Sequence, residues 1–146
     1  EFVAGSSEGY DSVVIDSLGS SVTETITNKG NVAVPVIFEI SAAFPAPSAP
    51  SYAKITATPS DQTVTIINGT DSEVKMEIDT YNREVLEVDY STVVDAGDLP
   101  GVSNARAKVS VLVDWIYLQP GANEITLTGF PTGSSCTVLY RSGWIG

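Results

Sequence analysis

The sequence predicts an all-β fold, a two-layer antiparallel β-sandwich of the jelly-roll kind. Three observations carry that expectation. Apolar and polar residues alternate with period two in segment after segment. These segments recur at a spacing of roughly 8–12 residues with turn chemistry between them. Nowhere do apolar residues repeat at i, i+3 and i+4 over the length of a helix.

In chain order, strands are expected near 12–17, 21–28, 33–41, 53–58, 63–67, 73–79, 83–88, 106–114, 123–128 and 135–141. Val, Ile, Thr and Tyr fill them, residues that suit a pleated surface. Val74, Met76 and Ile78 point one way, while Glu73, Lys75, Glu77 and Asp79 point towards solvent. Ala107, Val109, Val111 and Val113 alternate with Lys108, Ser110, Leu112 and Asp114. Cys136, Val138 and Tyr140 alternate with Thr137, Leu139 and Arg141. Lys29-Gly30-Asn31 and Asn68-Gly69-Thr70 read as hairpin turns between alternating runs. Gln119-Pro120-Gly121-Ala122 reads as a type II turn, with φ preset at Pro120 and positive at Gly121. The stretch 42–51 carries prolines at 45, 47 and 50, which excludes a central strand and suggests a crossing between sheets. A second long connection spans 95–104, and one turn of helix fits 91–96.

The chain has 146 residues, the size of one domain, with 42% hydrophobic and 17% charged residues, too apolar for a disordered chain. Residues 1–9 read as a linker or junction and 10–146 as a single sandwich domain. Eighteen Asp and Glu against seven Lys and Arg give a net charge of −11, which repels phosphate backbones and argues against nucleic-acid binding. No apolar run reaches the ~20 residues of a membrane-spanning helix, so no membrane insertion is expected. The chain contains no histidine, which removes imidazole metal sites and His-based triads. A lone cysteine, Cys136, permits no intramolecular disulfide and reads as a small buried hydrophobe.

No catalytic residue, metal ligand or cofactor emerges, and an enzyme is not expected. Glu77, Asp79, Glu84, Glu87 and Asp89 cluster in sequence as the paired carboxylates of glycoside cleavage would, but alternation places Glu77 and Asp79 on a solvated face. Asp79-Thr80-Tyr81 lacks the glycine of an aspartic-protease motif. Asp95-Ala-Gly-Asp98 does not match the alternating ligands of a calcium loop and reads as a plain acidic loop. The Asn68-Gly69-Thr70 sequon is explained by its turn. Trp115, Tyr117, Tyr140 and Trp144 fall near the ends of the last strands, and Phe44 and Tyr52 flank the proline-rich stretch. Such aromatics most simply seal the ends of a sandwich core. Exposed, Trp115, Tyr117 and Trp144 are the candidates for stacking on sugar rings.

Four stretches together resemble the C-terminal domain of siphovirus distal tail proteins, a tail-component family of long-tailed phages. They are Ile26-Thr-Asn-Lys-Gly-Asn-Val-Ala-Val-Pro-Val36, Met76-Glu-Ile-Asp-Thr-Tyr-Asn-Arg-Glu-Val85, Trp115-Ile-Tyr-Leu-Gln-Pro-Gly-Ala-Asn-Glu-Ile125 and Val138-Leu-Tyr-Arg-Ser-Gly-Trp144. Their order and spacing cover residues 21–146. The resemblance implies a galectin-like sandwich located in the virion tail, a structural piece of the tail tip or baseplate that contacts other phage tail proteins. The alternative it implies is a carbohydrate-binding module that touches host cell-surface glycan. In that family an N-terminal belt domain forms a hexameric ring; without one, the isolated domain is expected to be a monomer.

Overall fold

The computed structural model describes residues 11–18, 21–41, 53–67, 74–89, 93–110, 114–130 and 134–142. Its strands are β1 (Asp11–Leu18), β2 (Val22–Asn28), β3 (Val34–Pro35), β4 (Ile37–Ser41), β5 (Ala53–Thr58) and β6 (Gln62–Ile66). They continue with β7 (Val74–Asp79), β8 (Glu84–Asp89), β9 (Gly101–Asn104), β10 (Tyr117–Leu118), β11 (Gly121–Thr128) and β12 (Ser134–Tyr140). A six-stranded sheet runs β1-β12-β4-β7-β8-β9, a four-stranded sheet runs β2-β11-β5-β6, and β10 pairs with β3. Every pairing is antiparallel. The fold is the expected all-β sandwich.

The core lies between the two larger sheets. Phe38, Ile40, Met76, Ile78, Val85, Cys136 and Val138 come from one, and Ile26, Ile55, Val64, Ile66, Ile125 and Leu127 from the other. Period-two burial in β5 and β12 is the direct consequence of the pleat. Leu139 and Ile37 break the pattern. They lie on the outer side of the six-stranded sheet, opposite one another in register, and both are buried.

Several elements differ from the sequence expectation. The single strand expected at 33–41 is two, because Pro35 has no N–H to continue a ladder and the chain changes sheets at Val36, whose carbonyl accepts the Thr80 amide at 3.0 Å. The turn at 29–31 does not close a hairpin, since β2 and β3 belong to different sheets. Asn28 shapes it: Oδ1 accepts the Gly30 amide at 2.9 Å and Nδ2 donates to the Val32 carbonyl at 2.7 Å. Residues 68–70 lie outside the described residues, but β6 and β7 also belong to different sheets, so their link is no hairpin either. The proline-rich stretch 42–51 lies outside them as well, and β4 and β5 on its flanks are in different sheets, as expected of a crossing.

The strand expected at 106–114 is replaced at its start by a 3-10 turn, Arg106–Lys108. The Arg106 guanidinium donates to the carbonyls of Val109 and Ser110 at 3.0 and 3.2 Å and so curls the chain locally. Ala107 is exposed and Val109 buried, although alternation had put them on one face. Lys108, Ser110 and Asp114 nonetheless lie along the edge of β6. Ile67 N–H donates to the Lys108 carbonyl at 2.8 Å, Ser110 N–H to Thr65 at 2.9 Å, and Asp114 N–H to Thr63 at 3.1 Å. Residues 91–92 lie outside the described residues; 93–96 hold no helix, only a bend at Asp95 that leads into a turn at Ala96, and the connection expected at 95–104 ends in strand β9. Gly121 has φ +93, as the turn after Pro120 requires.

Candidate functional site

Trp115 leads into β10 and Tyr117 is its first residue. Ile116 and Leu118 are fully buried, so the alternate positions Trp115 and Tyr117 turn outward and are half-buried. Trp115 packs against the core, and the Arg106 guanidinium carbon lies 6.0 Å from its ring centroid, a cation–π arrangement. Gln62 fixes this corner twice over. Its Nε2 donates to the Trp115 carbonyl at 3.0 Å, and its Oε1 accepts the Tyr117 amide at 2.8 Å. Tyr140 also packs against the core, the sealing role expected of it. Trp144, Phe44 and Tyr52 lie outside the described residues, as do residues 1–9.

The end of the sandwich beside this corner is held by two buried asparagines. Asn123 Oδ1 accepts the Gln119 amide at 2.8 Å, while Nδ2 faces the carbonyls of Gln119, Gly121 and Ile26 at 2.9, 3.0 and 3.3 Å. Asn28 Nδ2 also reaches the Leu118 carbonyl at 3.2 Å. These amides satisfy backbone groups that the short strand β10 cannot pair, which is why polar residues stand in the interior here.

The described acidic residues take separate local roles in turn, sheet and loop. Asp79, expected in solvent, is buried at the end of β7, where its carboxylate accepts the Asn82 amide at 3.1 Å and the Asn82 Nδ2 at 2.8 Å. It stabilises the β7–β8 turn, in which Arg83 takes φ +54. Glu77 faces Glu39 across β7 and β4, and burial first, then the Glu39, Asp79 and Glu84 charges, raise its pKa. Glu87 pairs with Lys108 at 2.7 Å. In the acidic loop, Asp98 accepts the amides of Val94 and Asp95 at 3.0 and 2.9 Å, and hydrogen bonds to Asp95 and Val94 lower its pKa. Among the described residues no group of three or more Cys, Asp or Glu is placed to hold a metal, and no helix is long and apolar enough to cross a membrane.

No protein-family model matches the sequence, and no curated protein matches it. Among solved structures, the sandwich is similar to the Dit protein (gp 19.1) of SPP1, described as a paradigm of the hub adsorption apparatus in phages that infect Gram-positive bacteria. The TM-score is 0.55 at 12% sequence identity, over 90% of this chain. What the two share is the fold. The chain spans about half of that protein, 47% of its length.

One surface escapes sequence reading. Val93, Val94, Leu99 and Val102 are exposed, and all belong to the loop and edge strand that follow β8. Gly97, at φ +96, and the Asp98 carboxylate fold this loop tightly, so its apolar side chains are presented by an ordered turn. In the sequence these four residues are scattered among Asp, Gly and Pro and form no periodic pattern.

Proposed function

We propose that this chain is a structural module of a bacteriophage tail, located in the virion and acting by contact with other tail proteins at the tail tip or baseplate, without catalysis. The observation that carries this reading is the similarity of the sandwich to SPP1 Dit over 90% of the chain. The four sequence stretches that resemble distal tail proteins support it independently, and three of them coincide with built features of this fold. These are the Asn28 turn, the Asp79-held β7–β8 turn and the Pro120-Gly121 turn into β11. Immunogold labelling of purified tailed particles encoded with this gene tests the proposal. Gold at the distal end of the tail is the expected result; absence of the chain from purified particles, or label on the capsid, overturns it.

A second reading, host-glycan contact through Trp115, Tyr117 and Trp144, is favoured by the outward, half-exposed placement of the first two. Arg106 beside the Trp115 ring narrows the surface left for a sugar. Titration with host cell-wall saccharides, followed by tryptophan fluorescence, tests it; an unchanged spectrum at millimolar saccharide refutes it.

A further inference from the structure

The outer side of the four-stranded sheet carries a regular surface. Strand alternation turns twelve residues of β2, β11, β5 and β6 away from the core, and all are threonine except Ala122, Glu124 and Lys54. None of the twelve is buried, the exposure pattern of an uncovered sheet face. Hydroxyls here can satisfy one another: Thr23 Oγ1 lies 2.9 Å from Thr126 Oγ1 on the neighbouring strand. Such a face can give up water without leaving its hydroxyls unpaired, and its methyl groups then contribute apolar area.

The centre of the face is the register pair Thr126 opposite Thr56. An antiparallel pair has a local two-fold axis perpendicular to the sheet, and turning about this one carries Thr128 onto Thr58 and Thr23 onto Thr63. The same turn carries Glu124 onto Lys54. The two charges of the face therefore have opposite sign and stand at equal distances on either side of its centre. Both are exposed, and neither is in an ion pair among the described residues. The chain as a whole has a net charge of −11, and the outer side of the other large sheet sets Glu39 opposite Glu77. Two copies repel one another there, whereas the threonine face is charge-balanced and complementary to itself.

We propose that this face docks on a second copy of the chain, forming a weak two-fold dimer in which Lys54 of each copy meets Glu124 of the other, in place of the monomer expected of the isolated domain. This holds whether or not the chain belongs to a phage tail. Glu124 and Lys54 lie one strand apart, about 4.8 Å, and four residues along, about 13.6 Å, so the line joining them is inclined about 20° to the strands. A two-fold axis in the interface, at right angles to that line, exchanges the two positions. It crosses the facing strands at about 40°, near the roughly 30° of aligned sheet packing. The face projects roughly 350 Å² per copy, under half of the standard ~800 Å², which corresponds to a dissociation constant of about 0.1–1 mM.

Sedimentation equilibrium of the full chain, from about 10 μM to about 1 mM at physiological ionic strength, is expected to show the mass rising from monomer towards dimer. Lys54→Glu and Glu124→Lys each turn both contacts between copies into like-charge pairs and are expected to weaken association at least about tenfold. Both positions are exposed, so neither change disturbs the core. Mixed together, the two variants are expected to associate as the unaltered chain does, because every contact again joins opposite charges. The double variant Lys54→Glu/Glu124→Lys keeps the net charge and is expected to recover self-association. A monomer at the highest concentration overturns the proposal and leaves the face to a different partner. So does association that neither single substitution weakens, single variants that stay apart when mixed, or concentration-dependent NMR shifts that fall outside β2, β11, β5 and β6.

Discussion

Replacing Asn123 tests whether the buried amide network holds the end of the sandwich. Asn123 is 1% exposed and satisfies the Gln119 amide together with the carbonyls of Gln119, Gly121 and Ile26. Asn123→Ala removes one acceptor and two donor hydrogens. At about 1 kcal/mol net for each of three hydrogen bonds, the expected loss is about 3 kcal/mol, more if the orphaned groups stay dry. For a chain of this size that corresponds to a fall in Tm of roughly 6–12 °C. Asn123→Asp keeps the shape but sets a carboxylate against three carbonyls that need donors. It is expected to be less stable than the alanine variant at pH 7. The sign with pH follows: burial raises the folded pKa of the new carboxyl above its unfolded value, so the penalty is full above the folded pKa and fades as pH falls towards the unfolded one. Urea titrations at pH 7 and pH 4, with m held common, measure both effects. An alanine variant that loses under 1 kcal/mol, or an aspartate variant that gains nothing on acidification relative to alanine, refutes the reasoning.

Glu77→Gln is expected to stabilise the protein by about 0.5 kcal/mol at pH 7, the scale of a like-charge pair across two strands. Since the folded pKa of Glu77 is raised, that gain is full above it and shrinks as pH falls towards the ordinary carboxylate range, which urea titration across pH follows. Burial and the Glu39 charge push the Cys136 thiol up to about 12, so iodoacetamide at pH 8 is expected to leave the native protein unlabelled and to modify it in concentrated guanidinium. Labelling of the native form at the unfolded rate contradicts the burial of β12. Phe38→Ala is expected to cost about 3–5 kcal/mol by urea unfolding, because the ring is fully buried between the sheets.

The fold was legible wherever one face of a strand packs on the core. β5 falls where the alternation placed it, and β2, β6, β7, β8 and β12 fall within a residue or so. The misses have local causes. Arg106 bends 106–108 through side-chain bonds to two carbonyls, a contact that hydropathy patterning does not encode. β9 has four residues and one apolar side chain, too few for a period to register. Asp79 fits a solvated face by parity, and only Asn82 three residues later hints that it closes a turn. At the aromatic corner, the sequence reading favoured core-sealing aromatics, whereas Trp115 and Tyr117 alternate with the buried Ile116 and Leu118 and stand half-buried. The fixing of both by Gln62, more than fifty positions earlier, was not readable from the sequence.

The pairing of β1 with β12 has a mechanical consequence. Asp11 sits directly opposite Tyr140, so the chain enters and leaves the sandwich side by side at one end of the six-stranded sheet. A load that separates those two points peels the ladder open one hydrogen bond at a time instead of shearing all of it at once. The same adjacency lets the whole domain sit in a loop of a host protein, or be rejoined end to end through a short linker, with little disturbance of either. Neighbours that must pull on this domain without opening it therefore need to grip its faces and side edges, away from the paired ends.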